Sequence, residues 1–450
     1  MRYADFLAGK SKYAVACGSD VTAPRGAVLW DWQRTTVDWA LGMGRAALFE
    51  DTGLGKTRQQ LAWARALVDL TDRPALVLAP LGVVRQTSRE ARAAGISLDG
   101  ITVANYEQLH NLKTSAFGSV VLDESSILKN YSGTTRRRLQ AAFSKTPFRL
   151  CCTATPAPND FLELGTHAEF LGVMSSHEMI ARWFITDQSE FGKYRLKGHA
   201  VRSFWRWVTS WARCIGRPSD MGRQYSDAGY DLPALHEHRH TVEVDIIDGR
   251  GDGLLFRVPD LSATSIHREK RRTAEQRAAR VAELVKAELD EAWVVWCDTN
   301  YEADALTAVL PTAIDVRGSM SPQVKADLLE RFATEGGVIV TKPSIAGMGL
   351  NWQHAARMAF VGGTYSYEQY YQSVRRCWRF GQERPVHVHV VMAATELALW
   401  NVMARKRDDH ERMKLAMFAA SREAAGRAAQ LVGYEPTYEA EVPAWIQSLV

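Results

Sequence analysis

The sequence predicts an α/β protein of two similar lobes, each a parallel sheet flanked by helices, with a helical insertion between them. Three observations carry this. The apolar run Ala46–Phe49 leads through a glycine-rich turn, Glu50–Thr57, into Arg58–Leu67, where Leu61, Ala64 and Leu67 fall at helical spacing. Apolar runs then recur at 75–79, 101–104, 120–122 and 148–152, separated by helical or turn-rich sequence, as in a doubly wound parallel sheet. The rhythm breaks between about 165 and 240 and resumes at 293–297, 313–316, 338–341, 358–361 and 386–391. The expected division is lobe one over 1–165, a helical protrusion and linker over 166–265, lobe two over 266–395 and a helical extension over 396–450.

Composition narrows the class. The chain has 450 residues, 46% hydrophobic and 24% charged, ordinary for a globular protein of two or three domains. A net charge of +4 makes any nucleic-acid surface local. The six cysteines form no C-x-x-C pair, which points to a reducing compartment. The first residues hold no continuous apolar segment, and no apolar run is long enough for a bilayer, so a soluble, cytoplasmic protein is expected.

Taken in order, the glycine turn is a phosphate cradle. Gly53 and Gly55 let backbone N–H groups approach anionic oxygens, the helix N-terminus adds its positive end, and Lys56 adds a full charge. Thr57 is placed to put its hydroxyl on Mg²⁺. The full P-loop spacing wants a glycine where Glu50 stands, so this is the shortened Gly-x-Gly-Lys-Thr form. Gln33, upstream, can offer a donor and an acceptor to an adenine edge.

The strand at 120–122 ends in Asp123-Glu124-Ser125-Ser126. Asp123 suits Mg²⁺ and Glu124 suits orienting an attacking water. The bland alternative is an acidic helix cap. The strand at 148–152 ends in Thr153-Ala154-Thr155-Pro156, whose hydroxyls can sense a γ-phosphate. Between them Lys129, Arg136, Arg137, Arg138, Lys145 and Arg149 form a basic block, a solvated face or a phosphate contact.

Together these residues resemble a family. Asp51–Thr57, Leu78–Leu81, Asn105–Leu109, Asp123–Asn130 and Thr153–Pro156 are similar to the ordered motifs of helicase superfamily two, and most of all to the Swi/Snf-type double-stranded DNA translocases. Ala346–Asn351 resembles the family's fifth motif, and Gln372–Gln382, with its trailing Gly-Gln, the sixth. The resemblance implies tandem RecA-like lobes, ATP and Mg²⁺ as cofactors, a DNA partner (duplex by preference) and a monomeric motor like compact bacterial or bacteriophage members. Gly349 and Gln372 would join Thr153 and Thr155 in conformational coupling. Ser125-Ser126 stands where the family has Ala-His, and Met348 where it has a small or aliphatic residue.

In the insertion, Arg202, Arg206, Arg213 and Arg217 would share one helical face opposite Phe204, Trp207, Val208, Trp211 and Ile215. The aromatics read as core. The arginines, with Tyr106, Lys129 and Arg136, are candidates for nucleic-acid contact, solvated faces being the alternative. His236, His238 and His240, and later His387 and His389, alternate as plain strand residues. Arg376 and Arg379 lie three apart on a helix, aimed alike and expected to reach a γ-phosphate from lobe two. The long polar helix after Glu396 should pack across both lobes. A strand-separating helicase, an RNA-dependent ATPase and a DNA-binding scaffold with structural nucleotide share most of these features.

Overall fold

The computed structural model describes residues 13–80, 83–129, 133–158, 160–186, 194–244, 263–346, 350–363 and 366–431. Asn130, the turn at 249–253, Met348, Gly349 and the segment from Gly433 lie outside them.

The first lobe is built on strands β1 (Arg45–Glu50), β2 (Ala75–Ala79), β3 (Ile101–Asn105), β4 (Ser119–Asp123) and β5 (Phe148–Thr153). A short antiparallel pair follows, β6 (Phe184–Thr186) and β7 (Tyr194–Leu196), then β8 (Ala212–Ile215). The second lobe holds β9 (Leu235–Val242), β10 (Trp293–Trp296), β11 (Ile314–Val316), β12 (Val338–Thr341), β13 (Arg357–Val361) and β14 (Val386–Ala393). Each lobe is one six-stranded, all-parallel sheet, ordered β3-β2-β4-β5-β1-β8 and β11-β12-β10-β13-β14-β9. The α/β class and two-lobe plan are as the sequence predicts.

Both faces of the central strands are buried, which is why they read as continuous apolar runs. In β1, Ala47 and Phe49 join the core on one face while Ala46 and Leu48 join the core on the other. Parallel pairing puts the carboxyl ends of neighbours β4, β5 and β1 at one edge, so Asp123, Thr153 and Glu50 are brought together by topology alone.

The insertion departs from expectation in two ways. Helices Glu163–Leu171, Ser176–Trp183 and Val201–Trp211 form, but β8 adds to the edge of the first sheet and β9 to the edge of the second. Stretches assigned to a protrusion and linker therefore belong to the lobes. The helix also ends at Trp211, so Arg213 lies on a strand and Arg217 beyond it, and the four-arginine face does not exist. Phe204, Trp207, Val208 and Trp211 are core, as read. The helix Leu397–Leu431 crosses both lobes, with Trp400 and Met403 in the core of the second and Met413 and Met417 in that of the first. Among the described residues, no helix is long and apolar enough to cross a membrane.

One buried network had no sequence signal. Arg277, fully buried, pairs with Glu302 at 2.9 Å and donates to the Val361 carbonyl at 2.6 Å, while Lys270 holds Asp298 at 2.8 Å.

The histidines interleave across β9 and β14. His238 Nε2 lies 2.9 Å from His387 Nδ1, and His240 Nε2 lies 3.0 Å from His389 Nδ1, with the rings stacked. Each contact needs one nitrogen to accept, so the ladder holds only while enough rings are neutral. Among the described residues no cluster of His, Cys, Asp or Glu is arranged for a metal. Burial, then the charges of His238, His240 and His387, push His389 down to about 4. Arg280 faces His240 at 3.5 Å and Trp293 stacks near His389 at 5.5 Å, so neither supplies a compensating anion, and Glu288 is the carboxylate within electrostatic reach. The unfolded chain binds a proton near the ordinary histidine value that the folded ladder refuses until about 4, so stability falls as pH drops through that window. A His389→Gln variant should lose about 1–3 kcal/mol less than the wild type between pH 7 and pH 4.5 by denaturant titration. Equal losses in both proteins would remove the ladder as the cause.

Candidate active site

The phosphate-cradle loop runs from the end of β1 to the helix Lys56–Thr71, whose first turn Thr57 joins half-buried. Gly53 and Gly55 sit at φ +89° and +77°, a region other residues avoid. The loop is held from inside. Lys56 Nζ donates to the carbonyls of Glu50 at 2.8 Å and Asp51 at 3.0 Å. Gln33 Nε2 donates to Leu54 O at 2.8 Å, and Gln59 Nε2 to the same oxygen at 3.3 Å and to Glu50 Oε2 at 2.7 Å. Gln33 also accepts from Trp30 N at 3.0 Å. The glutamine expected to read adenine thus has its amide spent on shaping the loop. Glu50 is fully buried and one of its oxygens has no partner; burial, against Lys56 and Gln59, pushes its carboxyl up to about 7.

Asp123 and Glu124 stand where β4 ends. Gln60 Nε2 donates to Asp123 Oδ1 at 2.7 Å, and Tyr106 donates its hydroxyl to the Asp123 carbonyl at 2.7 Å. Glu124 takes φ +52°, a left-handed conformation that turns its side chain out of the strand direction, and it accepts from Thr153 Oγ1 at 3.2 Å. Burial raises both carboxyls, and the Asp123 charge raises Glu124 further, while Lys56 opposes. Behind the pair, Ser125 contacts His167 at 3.2 Å, and burial pushes that histidine down to about 4. His167 is neutral at pH 7.

Lobe two supplies the opposite wall. From the helix Tyr367–Val374 and the turn after it, Arg376 and Arg379 both donate to the Leu350 carbonyl at 3.2 Å. They converge, but from turns beyond the helix, which ends at Val374, and not from the shared helical face expected. Burial depresses Arg376 while Glu124 and Asp123 pull it back, which places its guanidinium in the field of the acidic pair. Burial, then Arg376 and Arg375, push Arg379 down to about 9, and its Nε is buried with no acceptor. Two crowded guanidiniums with an unsatisfied donor fit an anion. The side chain seated on the loop is a third, Arg375, which donates to Thr52 O at 3.2 Å and to Thr52 Oγ1. The three-residue spacing of Arg376 and Arg379 carries no signal for Arg375 as the link between lobe and loop.

The coupling residues form one path. Thr155 N donates to Thr153 Oγ1 at 3.1 Å, Thr155 Oγ1 donates to Glu368 at 3.4 Å, and Gln372 Nε2 reaches Thr155 and Glu368 at 3.5 Å each. Lys129 also bonds Glu368 across the lobes. The polymer-contact assignments change accordingly. Lys129 is paired with that carboxylate, and Tyr106 is held by Asp123. Arg136 is buried and pairs with Glu169 at 3.1 Å. Arg213 is packed over the Trp39 ring at 4.4 Å. Burial sequesters Arg136 from any polymer. Arg206 stays exposed on its helix. A cleft of about 1910 Å³ opens between the lobes, lined by Arg58, Tyr106, Glu124 and Lys129 on one side and Lys325 and Glu368 on the other.

Residues 276–381, which hold β10 to β13 of the second lobe but not β9 or β14, match the helicase conserved C-terminal domain. That part of the second lobe is similar to the helicase domain. The chain's two tandem lobes are RecA-like α/β units. No curated protein matches the chain. Among solved structures it is similar to the Sulfolobus solfataricus SWI2/SNF2 ATPase core in complex with dsDNA, at 17% identity over 91% of this chain and 96% of that one, with a TM-score of 0.39.

The loop's tolerance is narrow. A Cβ on Gly55 would lie 2.4 Å from Gln33 Nε2, at a φ that L-residues disfavour. Gly55→Ala should therefore cost about 2–3 kcal/mol in denaturant titration, combining backbone strain with the lost Gln33 bond. A loss below about 0.5 kcal/mol would mean that Gln33 does not shape the loop.

Proposed function

We propose that the chain hydrolyses ATP in the cleft between its lobes when bound to DNA, duplex by preference, and moves along it by closing and opening. The observation that carries this is the convergence of Lys56 from lobe one and Arg376 from lobe two on the Asp123-Glu124 pair, with Arg379 beside Arg376.

The residues fit MgATP. The glycine loop and helix N-terminus offer N–H groups, Lys56 has an amine bonded only to carbonyls, and Arg379 carries an orphaned buried donor. Thr57 and Asp123 would hold Mg²⁺, which supplies Lewis-acid charge neutralisation of the phosphates. Lys56 would leave the Glu50 and Asp51 carbonyls for phosphate oxygens. Glu124 orients the attacking water, and its raised carboxyl can take the proton. Arg376 and Arg379 stabilise charge that develops on the transferred group. Thr153, tied to Glu124, passes its position through Thr155 to Glu368 and Gln372, so hydrolysis and lobe closure are linked. Gly349 would belong to the same linkage.

The DNA assignment rests on the Swi/Snf-like sequence motifs; strand separation and RNA dependence are the alternatives. Steady-state hydrolysis with duplex DNA, single-stranded DNA, RNA or no polymer separates them. Duplex should stimulate most. Lys56→Ala should lower stimulated turnover about 100-fold, and Arg379→Ala about 1000-fold. Glu124→Gln should abolish turnover and keep nucleotide binding. Preference for RNA, or indifference to every polymer, would reverse the assignment.

A further inference from the structure

Asp51 is the meeting point of three distant segments. Its carboxylate accepts the Tyr371 hydroxyl at 2.5 Å and lies 3.2 Å from Arg375 Nη2, both from lobe two. The third partner is Lys414 of the C-terminal helix, whose ammonium lies 3.1 Å from Asp51 Oδ2 and donates to the Tyr371 hydroxyl at 3.0 Å. The side chains of Asp51, Arg375 and Lys414 are 14%, 7% and 10% exposed, so the cluster is largely shielded from water. Its grip falls on the phosphate loop, since Asp51 O accepts from Lys56 and Thr52 accepts from Arg375.

The partners divide between the moving parts. Tyr371 and Arg375 travel with lobe two. Lys414 is flanked by Met413 and Met417, which are packed in the core of lobe one, and Ser421 on the same helix accepts from Cys214 N of β8 at 3.0 Å. Asp51 N itself donates to Ile215 O of β8 at 2.9 Å. If lobe two swings away, Asp51 loses a hydroxyl and a guanidinium but keeps an ammonium. A shielded carboxylate left with no cation would be strongly disfavoured, and the loop carrying it would rearrange toward water.

We propose that Lys414 is a positioning residue for the phosphate loop: it keeps Asp51 charge-compensated when the lobes are open, so that the loop keeps its binding shape before nucleotide arrives. The C-terminal helix is thereby part of the nucleotide site without touching nucleotide. This rests on the ATP-binding role given to the loop above.

A positioning role in the open state separates affinity from turnover. Lys414→Met should raise the KM for ATP about tenfold and leave kcat within about twofold, because closure restores Arg375 and Tyr371 to Asp51. Lys414→Arg, which keeps the cation, should restore KM. In an Asp51→Asn background the Lys414→Met change should add nothing, the non-additivity expected of direct partners. Lys414→Gln, which keeps a polar head and removes the charge, serves where Lys414→Met folds poorly, and should give a smaller rise in KM. Hydrogen exchange at the amides of 51–53, in full-length protein without nucleotide, gives a reading independent of hydrolysis. Faster exchange in Lys414→Met supports the proposal even in a wild type that hydrolyses nothing, a result that would remove only the ATPase assignment. Unchanged exchange, or a fall in kcat with KM constant, or additive effects with Asp51→Asn, would overturn it.

Discussion

Everything in the cleft depends on a loop of eight residues that cannot hold its own shape. Two of its glycines take left-handed backbone, which its own Lys56, bonded to the Glu50 and Asp51 carbonyls, braces from one side. The structure supplies what is missing from four directions. Gln33 comes from the helix before β1, Gln59 from the helix after it, Arg375 from the opposite lobe and Lys414 from the far end of the chain. The loop is local in sequence and global in its support.

That split explains which features can be read from the sequence. The strand, glycine turn and helix at 46–67 are set by local composition, and the sheet follows from the repetition of apolar runs. The juxtaposition of Asp123, Glu124 and Thr153 with Lys56 also follows, because parallel strands present their carboxyl ends at one edge. What no local pattern reveals is where an exposed-looking polar side chain ends. Gln33 is spent on a carbonyl rather than left for a base, and Lys414 is 363 residues from the carboxylate it bonds.

The insertion illustrates a different failure. Trp211–Ile215 is apolar enough to continue a helix and apolar enough to form a buried strand, and periodicity over so few residues does not choose. The choice is made by the open edge of β1, which pairs with Ala212–Ile215 and ends the helix at Trp211. Once Arg213 is on that strand, its side chain packs over the Trp39 face and leaves the helical arginine row. A tertiary partner far upstream in the chain, β1, with Leu48 paired to Arg213, overrides the helical spacing of the arginines.

Glu368 ties the remaining observations together. It is buried, and its two oxygens receive Lys129 and Thr155 from lobe one and Gln372 from its own helix. Thr155 leads back through Thr153 to Glu124, so one carboxylate of lobe two is joined to the acidic pair and to the basic block of lobe one at once. Separating the lobes would strand Lys129 and Glu368 as unpaired charges and cut the bond from Thr155, two costs that fall on the same residue. A buried charge is strongly disfavoured without its partner, whereas a paired one can be nearly neutral in stability. The arrangement therefore contributes little to how tightly the protein folds and much to how sharply the closed state differs from any open one. That difference is the property the proposed ATPase needs, because closure is useful only if it is discrete.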